Sequence, residues 1–120
     1  MTKPCLNKDI RIAAVTGRVT VHFDGYRIAS STRALSLDEP GLPLRIYVPR
    51  ADVDAAFLEP SEHNSFCPFK GEASYHSLKS GDAHALNAVW YYPDPCPLVE
   101  PIRDFLAFWG RQVRYEVTPA

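Results

Sequence analysis

The chain has 120 residues, 46% hydrophobic and 22% charged, and a formal net charge of −1. That size gives one domain with its own core, able to fold without a metal or a disulfide. The near-neutral balance contains no cluster of lysine and arginine, which argues against nucleic acid and anionic membranes as partners, since both are bound through clustered cations.

Val19, Val21 and Phe23 alternate with Arg18, Thr20 and His22, the period of a half-buried strand. Asp24-Gly25 follows, then the run Tyr26 to Ser30. Asp-Gly between two such runs fits a type I′ hairpin, because glycine accepts positive φ. Arg33 to Leu37 predicts a third strand with Leu35 and Leu37 on one face, and Leu44 to Val48 a fourth, stopped by Pro49. Ala51 to Phe57 reads as a short helical turn. Further strands are expected near Tyr75–Leu78 and Ala85–Tyr92, with Ser80-Gly81 turning between them. Tyr92-Pro93-Asp94-Pro95-Cys96-Pro97 is a stiff loop. Leu98, Ile102, Phe105, Leu106 and Trp109 recur at helical spacing and predict a helix over 98–109, capped by Gly110. Val113 to Val117 supplies a closing strand. The fold class expected is mainly β with one or two short helices, a curled antiparallel sheet with a helix against it.

The cysteines Cys5, Cys67 and Cys96 are odd in number and widely spaced, unlike a secreted disulfide scaffold. The N-terminal residues carry no apolar leader, and no apolar run nears the roughly 20 residues of a membrane span. The expectation is a cytoplasmic protein forming a single domain over residues 1–120, its oligomeric state open.

The most distinctive segment is Cys67-Pro68-Phe69-Lys70-Gly71-Glu72-Ala73-Ser74-Tyr75. A lysine three residues after a cysteine lowers a thiol pKa where the two meet, or holds an anionic ligand. Gly71 permits a sharp turn or close approach of the backbone to a ligand. The competing reading is an inert packed cysteine and a surface lysine in a turn. Arg33 shares strand parity with Leu35, Leu37 and Glu39, so Arg33 and Glu39 either project inward as a pair or form an exposed hairpin end. Trp90 and Tyr92 share one strand face and Tyr91 takes the other; such rings line pockets or serve as core.

Other chemistries find little support. His63 and Cys67 stand four apart, with no Cys-x-x-Cys pair to complete a zinc site, so neither metal nor cofactor is expected. Asp52 and Asp54 read as capping residues of the short helical turn. There is no phosphate-binding glycine loop and no Gly-x-Ser-x-Gly.

Four stretches resemble the family known as domain of unknown function 427, which carries a nominal nucleotidyltransferase label. They are Ile28-Ala29-Ser30-Ser31-Thr32-Arg33-Ala34-Leu35, Tyr47-Val48-Pro49-Arg50-Ala51-Asp52-Val53, the Cys67–Tyr75 segment, and Asn87-Ala88-Val89-Trp90-Tyr91-Tyr92-Pro93-Asp94-Pro95. The resemblance runs from about Val15 to Phe108. It implies an antiparallel β-tent, similar to methionine sulfoxide reductase B. The paired zinc cysteines of β-tent relatives are missing, as is the Gly-Ser plus Asp-x-Asp pattern of nucleotidyltransferases. By resemblance the motif positions are Arg33, Glu39, Tyr47, Cys67, Lys70, Gly71, Tyr75, Trp90 and Tyr92.

Three functions compete on these residues. In an enzyme, Cys67 is a nucleophile or redox thiol, Lys70 stabilises it or an anion, and Tyr75 or Glu39 moves a proton. In a binding module for a small anionic or polar molecule, Arg33 and Lys70 hold the charge and Tyr75, Trp90 and Tyr92 form walls, with Tyr47 and Gly71 completing the site. In an interaction domain, the same motifs only specify the fold.

Overall fold

A computed structural model describes residues 5–119. Among these residues ten strands, all paired antiparallel, form two sheets. In chain order they are β1 (Arg11–Ala14), β2 (Arg18–Phe23), β3 (Tyr26–Ser31), β4 (Leu35–Asp38), β5 (Arg45–Pro49), β6 (Leu58–Cys67), β7 (Gly71–Ser80), β8 (Ala83–Tyr91), β9 (Phe105–Phe108) and β10 (Val113–Thr118). The larger sheet has seven strands in the order β1-β4-β5-β9-β8-β7-β6, and the smaller has three in the order β10-β2-β3. The larger sheet keeps two free edges, β1 and β6, and so does not close into a barrel. No helix among the described residues is long and apolar enough to cross a membrane.

The alternation that predicted β2 is seen directly: Val19, Val21 and Phe23 are wholly buried while their neighbours are not. Asp24 and Gly25 both take positive φ, 51° and 83°, as the type I′ turn requires. Residues 51–57 contribute two short 3-10 turns, Arg50–Asp52 and Ala55–Phe57, the second capped by the Asp54 carboxylate accepting from the Ala56 amide.

The helix expected over 98–109 does not form. Pro97–Ile102 is a broken 3-10 segment in which Val99 is non-helical, and Phe105–Phe108 is β9. Pro101 has no amide to donate, and Asp104 turns the chain with φ 57°. The run Phe105-Leu106-Ala107-Phe108 imitates a helical stripe because a strand covered on both faces is apolar throughout. Two strands lay outside the sequence expectation. β1 is short, and β6 is an edge strand whose polar, mostly exposed residues show no alternation.

The central strands of the larger sheet bury both faces, and their side chains divide by parity. Ile46 and Val48 of β5, Val89 of β8, and Leu106 and Phe108 of β9 face the smaller sheet and pack with Val19, Val21, Phe23 and Ile28. Tyr47, Trp90 and Ala107, from the same three strands, face the opposite way and pack with Leu37, Tyr92, Val99 and Ile102. This second face is roofed by loops: the N-terminal segment, the turn at 67–71 and the proline-rich loop. Cys5 and Cys96 join two of these in a disulfide, which an odd and widely spaced cysteine set did not suggest, and Cys67 is left free.

Candidate functional site

Glu39 follows β4 with the parity of Leu35 and Leu37, so it is carried inward and is only 4% exposed. An unpaired carboxylate there would be costly. One oxygen accepts from the Lys70 ammonium, and the other from Lys8 at 3.0 Å. Burial pushes the Glu39 carboxyl up, but the hydrogen bonds and charges of Lys70 and Lys8 outweigh it and hold the group below its ordinary value. Lys8 is aimed by its own segment: the Leu6 amide donates to the Pro68 carbonyl at 2.8 Å, and the Lys8 ammonium lies 5.1 Å from the Phe69 ring centre.

Lys70 is placed by a tight turn. Its amide donates to the Cys67 carbonyl at 3.2 Å, and its carbonyl accepts from the Cys96 amide at 2.9 Å. Gly71 then takes φ 108°, and a Cβ there would meet the Asp94 carbonyl oxygen and the Cys96 nitrogen at 3.4 Å. Glycine is therefore required twice, by conformation and by the proline-rich loop pressed against it.

Above the Glu39–Lys70 pair lies a hollow of about 110 Å³, bounded by Leu42, Arg45, Tyr47, Trp90 and Tyr92 as well as the pair itself. The Trp90 indole N–H donates to the Tyr47 hydroxyl at 3.1 Å, and the two rings meet edge to face. Burial raises the Tyr47 hydroxyl to about 12, against the lowering effects of Trp90 and Arg45. Tyr92 is pushed further upward, by burial first and then by the charges of Tyr47 and Cys67. Both phenols are thus neutral hydrogen-bonding walls. The Arg45 guanidinium lies 5.5 Å from the Trp90 ring centre and 4.8 Å from that of Trp109. Among the described residues it has no carboxylate partner.

The structure gathers Glu39, Tyr47, Lys70, Trp90 and Tyr92 around this hollow, with Gly71 in the turn beneath. Three expected residues do not line the hollow. Arg33 precedes β4, is exposed, and pairs with Asp52 at 3.1 Å rather than with Glu39. The Ser31 hydroxyl donates to that aspartate at 2.6 Å and is the first cause of its lowered pKa. Tyr75, on β7, shares a 2.8 Å hydrogen bond with Ser65, and its ring meets that of His63 at a tilt of 59°. Cys67, at the end of β6, is half-buried and does not line the hollow.

Arg45 and Lys8 were missed. Arg45 carried a signal, since it shares parity with Tyr47 along β5. Lys8 carried none, because the contacts that bring its segment to Glu39, the Leu6–Pro68 hydrogen bond and the Cys5–Cys96 disulfide among them, join residues far apart in sequence.

The family model described as Domain of unknown function (DUF427) matches residues 11–118. This chain belongs to the DUF427 family. Three of the four motif stretches that carried the resemblance build the site: the Tyr47–Val53 stretch supplies Tyr47, the Cys67–Tyr75 segment forms the turn that delivers Lys70, and the Asn87–Pro95 stretch supplies Trp90 and Tyr92 to its aromatic wall. No curated protein matches the chain.

Proposed function

We propose that this DUF427 protein is a binding module for a small anion, held non-covalently in the hollow beside Arg45 and Lys70. The observation that carries this reading is Arg45. It is a guanidinium stacked on two tryptophans, open to the hollow and lacking an acid partner among the described residues. Glu39 already neutralises one of the two lysines it touches, so three cations face one carboxylate across this region. A ligand anion would relieve that imbalance with a bidentate contact.

The hollow's volume equals roughly four waters at about 30 Å³ each, enough for a carboxylate head group. The Tyr47 and Tyr92 hydroxyls, neutral at physiological pH, supply further hydrogen-bonding groups. Cys67 lies outside the hollow, which favours binding over covalent chemistry at that thiol. The large antiparallel sheet with a smaller one packed across it is consistent with the β-tent that the family resemblance implies. A net charge of −1 favours a small molecule over nucleic acid as the partner.

Titration with acetate and inorganic phosphate, read by tryptophan fluorescence and backbone amide shifts, tests the reading. Saturable changes at Trp90 and Lys70 are expected, weakened about tenfold by Arg45→Gln, as for loss of a charge-assisted hydrogen bond. Cys67→Ala binds as the parent does. Absence of any saturable response to either anion would remove the proposal.

A further inference from the structure

A second hollow of about 280 Å³ shares Arg45 and Pro43 with the first but lies toward the smaller sheet, its walls formed by Leu44, Ile46, Phe108, Trp109 and Val113 with the Tyr115 ring. Arg45 and Pro43 line both hollows, so the stacked Arg45 side chain is the partition between them. Resting on the anion-binding reading above, we propose that the ligand is an amphiphilic carboxylate. Its charged head meets Arg45 and Lys70, and its apolar body lies in the second hollow against Trp109.

The chemistry of the two compartments differs in the way such a ligand requires. The first holds a carboxylate, an ammonium, a guanidinium and two phenols. In the second, Arg45 is the single charged lining residue among those described. Its one hydroxyl, on Tyr115, is already engaged: it accepts from the Phe108 amide at 2.9 Å and donates toward the Ile46 carbonyl at 3.2 Å. Burial raises that phenol above its ordinary pKa, so it too stays neutral. Arg45 and the Trp109 indole N–H aside, its remaining side-chain walls are apolar or already hydrogen-bonded.

The rim points the same way. Leu42, Leu44 and Trp109 are 55%, 58% and 66% exposed, and all three border one or other hollow. Single exposed apolar residues are ordinary, but three bordering two hollows that share Arg45 form a patch around a guanidinium with no carboxylate partner among the described residues. A carboxylate on Arg45 directs whatever it carries along the Trp109 ring, because the guanidinium stacks on that ring. The second hollow corresponds to roughly nine waters, room for a phenyl group or a short alkyl chain.

The test is a homologous series in which the head stays fixed: acetate, butyrate, hexanoate and 3-phenylpropionate, titrated into the full chain with hexanamide as the uncharged control. Dissociation constants are expected to fall about threefold per added methylene until the hollow is filled, close to the transfer free energy of a buried CH₂. Hexanamide should bind at least tenfold more weakly than hexanoate. Trp109→Ala and Leu44→Ala should each flatten the series. Acetate binding with equal constants along the series would overturn this inference while leaving the anion-binding reading intact. Hexanamide binding as tightly as hexanoate would also overturn it. Silence from every carboxylate would end both.

Discussion

The two faces of the seven-stranded sheet are made by the same strands and differ in what covers them. One face is sealed by a second sheet, with alternating apolar side chains such as Val19, Val21, Phe23, Val48, Val89, Leu106 and Phe108 meeting across it. The other is roofed by the N-terminal segment, the 67–71 turn and the proline-rich loop. Loops bring backbone polar groups and charged side chains with them, and these need partners when buried. Glu39, Lys70, Tyr47 and Tyr92 are therefore found on this face, around the smaller of the two hollows. Sheet-on-sheet packing produces stability, and sheet-under-loops packing produces a place for chemistry.

Phe23→Ala should break the sealed face most severely. Phe23 is 0% exposed, and removing its ring is expected to cost about 4 kcal/mol, the usual range for buried phenylalanine, read as a lowered denaturant midpoint. A loss under about 1 kcal/mol, the size of an ordinary substitution, would mean that the two sheets are not packed as described.

Lys70→Met tests the roofed face. It strips Glu39 of its closest partner inside the fold and should cost about 3 kcal/mol, as expected when one member of a buried ion pair is removed. The double variant Glu39→Gln with Lys70→Met should recover part of that loss. Two additive losses would show that the groups do not act as a pair.

Cys96→Ser sharpens the comparison, because the disulfide ties only the roof. The loop it closes is long, with a sequence separation of 91, yet Cys5 precedes β1 and belongs to neither sheet. A loss of about 2 kcal/mol, at the low end of disulfide effects, is expected in global unfolding. Hydrogen exchange at the Leu6 amide should accelerate far more than exchange at Val21. Equal acceleration at both would show that the bridge supports the whole fold.

The smallest effect is acid sensitivity. Glu39 is held below its unfolded-state pKa, so its stabilising contribution is complete above that ordinary value and fades as pH falls through the lower folded value. Comparison of stability against pH should show a shallower acid limb for Glu39→Gln than for the parent. Superimposable slopes would contradict the Glu39–lysine pairing.

The strands with alternating or turn-bounded patterns were legible. β2, β3 and the Asp24-Gly25 turn follow from local chemistry, and Tyr47, Lys70, Trp90 and Tyr92 were marked as a group by their motifs. Parity left Arg33 and Glu39 open between an inward pair and an exposed hairpin end; Glu39 is carried inward, whereas Arg33 precedes β4, which begins at Leu35, and turns toward Asp52. The helix over 98–109 failed because a strand covered on both faces has no polar side to reveal its period. β6 escaped because an exposed edge strand has no apolar side.

Sequence alone determined the β class, the turn chemistry at Gly25 and Gly71, and the membership of an aromatic and cationic set. These depend on φ preference, hydrogen-bonding capacity and side-chain period, all of which are local properties. The tertiary structure decided which cation serves the hollow, which cysteine stays free and how Lys8 reaches Glu39. Those outcomes depend on distances between residues 30 or more positions apart, such as Lys8 and Glu39, separated by 31. Only the packing of one sheet against another, and of loops over the face left open, sets distances of that kind.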